Sequence, residues 1–338
     1  FQAEDGIRDR SPSRGLGDVY KRQSMSRAAL FMTNDDGVES AGLHLLIAAL
    51  HARGHPVVVL APASEQSCSG MRLTLRHDLK FEERSDIADS LRVEGGPPLR
   101  IFSLDGSPCD CAIVALDGGL QAWAPEIKPS MCISGINQGP NLSVDVLHSG
   151  TVSAARETSL YGMPAIAISL ATYEHSEFSQ TVEASLQIIE ACLSALPDEP
   201  LNLRRPEGSR KKPLSAGTME ARVRSAFAHG DMFLNINAPK SWNGLMQTTS
   251  LGSRWYHNAI DMNDRENIGV AYEVGAAIIE DEDIPGTDCN AINSGAVAIT
   301  PLSSWPVNHP LGLSGDVMAA ATEQGLSLIH ISRCRRRG

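Results

Sequence analysis

The sequence predicts an α/β fold, a Rossmann-like, doubly wound, mostly parallel sheet with a β-rich C-terminal appendage. Three observations lead there. Short uninterrupted apolar runs, which suit parallel strands covered on both faces, alternate with segments of helical period. The first of these runs ends abruptly in Asp35-Asp36-Gly37, at the strand end where open α/β sheets gather ligands. Further along, Thr248 to Ile279 lacks a strong helical period and reads as the appendage.

Taken in order, Ala28 to Thr33 is the first strand. A helix over Ser40 to Arg53 follows, with Leu43, Leu46, Ile47 and Leu50 on one face and Gly54 placed to end it. Pro56 to Ala61 is a second buried strand. Met71 to Leu104 is less regular and reads as hairpin-like, and Cys109 to Leu116 as a helix. Pro129 to Ile133 reads as a strand, Val152 to Tyr161 as a helix, Pro164 to Leu170 as a strand and Thr181 to Leu196 as a long amphipathic helix. Leu201 to Arg224, rich in Arg, Lys, Pro and Gly, reads as an inserted basic loop. Met232 to Asn237 and Gly295 to Thr300 alternate as strands.

Phe1 to Ser24 shows no hydrophobic period and looks like translated sequencing-adapter sequence. So does Leu326 to Gly338, with its Arg335-Arg336-Arg337 run. The expectation is a natural start at or near Met25. The chain then divides into a leader 1–24, a core 25–200, a basic loop 201–231, a region 232–325 of returning strands plus the appendage, and a tail 326–338.

The 338 residues include 29 basic and 40 acidic ones; the two ends hold nine and four of these, leaving 20 against 36, a balance of −16. That argues against long nucleic acid, which is held mainly by Lys and Arg contacts to phosphate. An acidic protein that handles phosphate needs a metal ion or backbone amides to receive it. No apolar run approaches a membrane span and no signal-peptide pattern is present, so the expected location is the cytoplasm. Among seven cysteines only Cys109 and Cys111 are close, at a spacing unlike that of a zinc knuckle. Cys68, Cys132, Cys192 and Cys289 are scattered, and reduced, mostly buried thiols are expected.

Asn34-Asp35-Asp36-Gly37 is also an ordinary turn and helix-cap sequence. The ends of the other strands add weight to it. The second strand is followed by a loop carrying Ser64, Ser67 and Ser69, and the strand ending at Ile133 by Ser134-Gly135-Ile136-Asn137-Gln138-Gly139-Pro140-Asn141. In a parallel sheet these ends share one edge, so Asp35, Asp36, a serine of the second loop and Asn137 can converge. Each offers oxygen, which suits Mg²⁺ or Mn²⁺ and suits zinc or copper poorly. Next, His148-Ser149-Gly150-Thr151 precedes a predicted helix, where backbone amides and two hydroxyls would face an incoming phosphate. A plain capping turn is the structural alternative.

These motifs resemble, in order and spacing, the SurE (survival protein E) family. The match rests on Thr33-Asn34-Asp35-Asp36-Gly37-Val38, Ala61-Pro62 through Ser67 to Gly70, Gly106 to Cys111, Ser134 to Asn141 and His148 to Val152. Leu234 to Pro239, Gly286-Thr287-Asp288 and Ala298 to Leu302 extend it, so that it covers roughly residues 28 to 305. The resemblance implies a metal-dependent phosphatase of nucleoside 5′- and 3′-monophosphates, with short polyphosphate a further substrate. It also implies one divalent metal ion per subunit, held by Asp35, Asp36, Ser67 and Asn137, and a homodimer or homotetramer built through a β-hairpin and an exchanged C-terminal segment. Two positions depart from the family pattern: Ala63 stands where an acidic residue is usual, and Gln66 where an Arg precedes the ligand serine.

Charge sets the expected chemistry. A phosphate dianion approaching two carboxylates is repelled unless a cation lies between them. Ser149, Gly150 and Thr151 would hold the remaining phosphate oxygens, with Asn141 a further contact, and one of Asp35 and Asp36 could serve as general base. His148 is a candidate proton donor, with a local structural hydrogen bond as the alternative. A non-catalytic nucleotide- or metal-binding module is the competing class. A haloacid-dehalogenase-type phosphatase wants Asp-x-Asp, and a P-loop NTPase wants Gly-x-x-x-x-Gly-Lys-Ser/Thr; neither pattern fits this chain.

Overall fold

Nine strands form the central sheet of the protein, a computed structural model that describes residues 27–174, 177–197, 203, 215–265, 269–275 and 277–328. The readings of the leader, of most of the tail and of most of the basic loop lie outside the described residues. The first half runs β1 (Ala29–Thr33), α1 (Ala41–Ala52), β2 (Val57–Pro62), β3 (Phe81–Glu83), α2 (Ser85–Leu91), β4 (Leu99–Leu104), α3 (Pro108–Val114), α4 (Leu120–Trp123), β5 (Pro129–Gln138), α5 (Gly150–Leu160), β6 (Ala165–Leu170) and α6 (Ser179–Ala195). The second continues with α7 (Met219–Ala228), β7 (Met232–Ala238), β8 (Met246–Thr248), β9 (Arg254–His257), β10 (Ile260–Arg265), β11 (Gly269–Val274), β12 (Ile278–Asp281), α8 (Asp288–Asn293), β13 (Val297–Ser303) and α9 (Gly315–Leu328).

The sheet order is β3-β4-β2-β1-β5-β6-β7-β13-β8. The six strands from β4 to β7 are parallel, β3 and β13 are antiparallel to their inner neighbours, and β8 pairs parallel to β13. Alternation along β1 explains why its whole length is apolar: Leu30 and Met32 pack with α1 residues Leu46 and Ile47, while Phe31 packs with Cys111 of α3 and Val152 of α5. A fully buried Leu or Phe of this kind contributes about 1.5–3 kcal/mol. From β1 the chain moves to β2 on one side, and from β4 it returns to β5 on the other. The strand order therefore reverses at β1 and β5, and their C-terminal ends flank the crevice where such sheets bind ligands.

Four sequence readings shift. The hairpin-like stretch does hold one antiparallel pair, β3 with β4, but β4 is a parallel neighbour of β2, started by Pro97-Pro98 and alternating Leu99, Ile101 inward with Arg100 half-buried. Strand β5 runs on to Gln138 instead of ending at Ile133, with its register against β6 shifting between Ser134 and Asn137. Residues 219–224 of the expected loop are helical, because the Thr218 hydroxyl caps α7 by accepting from the Ala221 N–H at 3.2 Å. Helix α3 ends at Val114 rather than Leu116.

The appendage is β-rich as expected. Strand β9 pairs antiparallel with β12, and β10 with β11. Among the described residues no helix is long and apolar enough to cross a membrane. Among the described residues five cysteines are buried and Cys68 is exposed, all six as free thiols.

Candidate active site

Asp35 and Asp36 leave the end of β1 together and meet different neighbours. Asp35 is buried, 4 % exposed, and faces the first turn of α5. There the Thr151 N–H donates to its Oδ2 at 2.9 Å and the Thr151 hydroxyl donates to its Oδ1. A carboxylate at a helix N-terminus is favoured by the free amides and by the helix dipole. Burial nonetheless pushes the Asp35 carboxyl up, against the pull of the Thr151 and Gly150 donors. Asp36 is less deeply placed and accepts the Gln138 N–H from the end of β5 at 3.2 Å. Burial, then the charge of Asp35, pushes it up to about 7. No cation among the described residues contributes to either shift.

Gly150 makes the arrangement possible. A Cβ there would lie 2.8 Å from the Asp35 Cβ and 2.5 Å from the Ser69 Oγ, so only glycine lets the helix start this close to the β1 loop. Ser149 is the N-cap, its hydroxyl accepting from the Val152 N–H at 3.0 Å. The turn thus spends Thr151 on Asp35 and one lone pair of Ser149 on the helix. His148 is exposed; its carbonyl accepts the Gly70 N–H at 2.8 Å, which ties the loop after β2 to this turn.

That loop is also fixed to β1 by the Gln66 N–H, which donates to the Asp35 carbonyl at 2.7 Å. Ser67 itself is exposed, and its hydroxyl donates to Glu65 at 2.7 Å. Ser69 stands closer to Asp35 than the sequence reading anticipated: its Oγ is buried beside Gly150 and has no hydrogen-bond partner. Asn137 lies at the end of β5 with its Nδ2 donating to the Gly139 carbonyl at 2.9 Å, which leaves the lone pairs of its carbonyl Oδ1 to face a cation. Asn141 is buried behind the site, where Nδ2 donates to the Ser169 hydroxyl at 2.8 Å, its N–H donates to Asn237, and its carbonyl accepts from the Asn235 and Asn237 amides. The crevice therefore brings Asp35, Asp36, Ser69, Asn137, Gly150 and Thr151 together, keeps Ser67 at its solvent side, and uses Asn141 as a brace.

Residues far apart in sequence support the turn before α5. The Asp145 carbonyl accepts the His148 and Ser149 N–H groups, both at 3.0 Å. Its carboxylate accepts from Arg254 Nη1 at 2.8 Å and from the Tyr256 hydroxyl. Arg254 also forks onto Asp281 at 2.7 and 2.8 Å. Asp288 accepts the Ser143 N–H at 3.0 Å and the Gly252 N–H at 2.7 Å. No local pattern marks these supports: Asp145 and Asp288 stand within motifs that give them no bracing role, and Arg254 and Asp145 are 109 residues apart.

One buried and one half-buried carboxylate, held by N–H and O–H donors, next to neutral serine and asparagine oxygens are a donor set that fits a hard divalent cation. Among the described residues no three His, Cys, Asp or Glu side chains cluster as a metal site, so any cation here relies on the neutral oxygens as well.

The chain is similar to known proteins over most of its length. The family model described as survival protein SurE matches residues 30–258. The chain is 34 % identical over 278 residues to the protein named 5′-nucleotidase SurE of Synechococcus sp. (strain JA-3-3Ab), covering 81 % of this chain and 90 % of that one. It is 32 % identical to the protein of that name from Pelotomaculum thermopropionicum, covering 81 % and 88 %. The crystal structure of the SurE protein from Aquifex aeolicus superposes with a TM-score of 0.58 at 26 % identity, over 88 % of this chain and 99 % of that chain. With its sheet order, its paired aspartates and this match across most of its length, the chain belongs to the SurE family.

Proposed function

We propose that the protein is a metal-dependent phosphomonoesterase that hydrolyses nucleoside 5′-monophosphates to nucleoside and phosphate. Nucleoside 3′-monophosphates and short polyphosphate, which present a similar phosphoryl end, are further substrates. The relatives named 5′-nucleotidase SurE support the substrate class. The observation that carries the reading is the Asp35–Asp36 pair, two carboxylates side by side at the switch point of the sheet, with Asp36 accepting the Gln138 N–H from the end of β5.

Asp35, Asp36, Asn137 and Ser67 would hold one Mg²⁺ or Mn²⁺ ion per subunit, Ser67 after turning away from Glu65. When bound, that ion supplies Lewis-acid polarisation of a phosphoryl oxygen and a more acidic bound water. The chain's own residues do the rest. Thr151 holds Asp35 against the start of α5, so that its carboxylate keeps one position. The Ser149 hydroxyl, which accepts from the Val152 N–H and keeps its own proton to donate, receives a phosphate oxygen. Asp36, the more open of the two carboxylates, accepts the proton of the attacking water. His148, exposed beside the turn, donates a proton to the leaving alkoxide. The exposed side chains Trp255 and Ile278, on one face of the β9–β12 pair, support association of the chain as a homodimer or homotetramer through the appendage.

Phosphate release from a panel of nucleoside monophosphates, short polyphosphate and a generic aryl phosphate, each with Mg²⁺, Mn²⁺ or chelator, tests the reading. Nucleoside 5′-monophosphates are expected to lead the panel and to need the metal. Saturable nucleotide binding without turnover under either ion would contradict it.

A further inference from the structure

We propose that Tyr173, with Tyr256 beside it, forms the platform on which the nucleobase of the substrate stacks. The proposal rests on the nucleotidase reading and specifies which part of the molecule recognises the nucleoside half.

Tyr173 lies on the loop that leaves β6, and that loop is clamped to the site by one residue. Gln138 donates its N–H to Asp36, and its side-chain Nε2 donates to the carbonyls of Thr172 at 2.8 Å and Glu174 at 3.2 Å, on either side of Tyr173. The Tyr173 ring then lies along Gly139. A Cβ at that residue, whose φ is +130°, would be 3.6 Å from the ring and 3.7 Å from the Asn137 Nδ2. The ring is thus a close neighbour of one of the four expected metal ligands.

Tyr256 reaches the same place from the appendage. Its hydroxyl donates to Asp145, whose carbonyl holds the turn before Gly150, and the Tyr173 phenol lies near enough to push the Tyr256 hydroxyl up further. Both residues remain open to solvent: Tyr173 is 63 % exposed and Tyr256 40 %. Two tyrosines, exposed and anchored from both sides of the crevice, offer π-faces at its rim. A phosphate monoester whose phosphoryl group sits at Asp36 and Gly150 places its alcohol half toward that rim. Stacking of a base on an aromatic ring is worth about 1–3 kcal/mol and is tolerant of base identity, because every base has a π-face. The platform therefore favours nucleosides over small alcohols without choosing strongly among bases.

Steady-state hydrolysis of adenosine 5′-monophosphate and of ethyl phosphate, with Mn²⁺, by the wild type, Tyr173→Leu and Tyr173→Phe tests this. Tyr173 is exposed and its loop is held through backbone carbonyls, so the ethyl phosphate reaction reports whether each variant keeps an intact site. The expected result is that Tyr173→Leu raises KM for the nucleotide about tenfold while leaving ethyl phosphate unchanged, and that Tyr173→Phe stays within about twofold of wild type for both. An unchanged nucleotide KM in Tyr173→Leu, or an equal shift for both substrates, would overturn the platform while leaving the nucleotidase reading in place. A wild type that turns over ethyl phosphate and no nucleotide would overturn the nucleotidase reading itself, and the platform with it.

Discussion

A single missing methyl group decides whether the site closes. Gly150 starts α5 against the Asp35 side chain and the Ser69 hydroxyl, and Gly150→Ala drives a Cβ to within 2.8 Å of Asp35. Overpacking of this kind costs about 1–3 kcal/mol, and here it also pushes the helix amides off the carboxylate. The expected outcome is a lower urea midpoint together with loss of phosphate release; retention of full activity would show that the approach of α5 to β1 is dispensable. At this scale the sequence was informative about residue type more than about role. Asp35, Asp36 and Asn137 were legible because polar residues that interrupt apolar runs stand out. Ser69 did not stand out, since Ser64, Ser67 and Ser69 are chemically alike and only the fold of the loop separates the exposed Ser67 from the buried Ser69 hydroxyl.

Elements hold the site through a few paired charges and caps. Arg254 of β9 ties the appendage to the turn before α5 through Asp145, and to β12 through Asp281, all largely buried. Arg254→Met leaves two acids without their cation, and breaking a buried pair in this way costs about 3–5 kcal/mol. Denaturant unfolding should show a loss of that size, and a change below about 1 kcal/mol would argue that the network is incidental. Helix α3 shows the opposite device. Burial raises the Asp110 carboxyl, but the N–H groups of Thr74 and Ser107 outweigh it and hold it below its ordinary range. A carboxyl lowered on folding contributes stability that is complete above its ordinary pKa of 3.8 and disappears as the pH falls through the lower folded value. Asp110→Asn should therefore reduce Tm at neutral pH and flatten the acid side of the Tm profile below about pH 4. An acid limb identical to wild type would contradict this. The helix after Ser107 was legible as a helical run, but its capping box is a finding of the structure, and β4 was not legible, because its half-buried Arg100 and short length imitate a hairpin arm. The Arg254 network was beyond reach for a different reason: nothing local marks a pairing across 109 residues.

Over the whole molecule, strand order places the chemistry. The reversal between β1 and β5 opens one crevice, and the loops after β1, β2 and β5 with the start of α5 all empty into it. The doubly wound core was legible because β1, β2 and β6 are continuous apolar runs, which only a sheet covered on both faces demands. The appendage was legible only as a loss of helical period, and its use as a brace for the turn before α5 emerges from its tertiary contacts. The most direct test of the central claim is the rate of phosphate release from a nucleoside 5′-monophosphate before chelation, after it, and after restoring Mn²⁺, in the wild type and in Asp36→Asn. The account predicts release that stops in chelator, returns with the metal, and in Asp36→Asn falls by about a hundredfold or more even with metal present. Release that continues undiminished in excess chelator, or an Asp36→Asn protein as fast as the wild type, would contradict it.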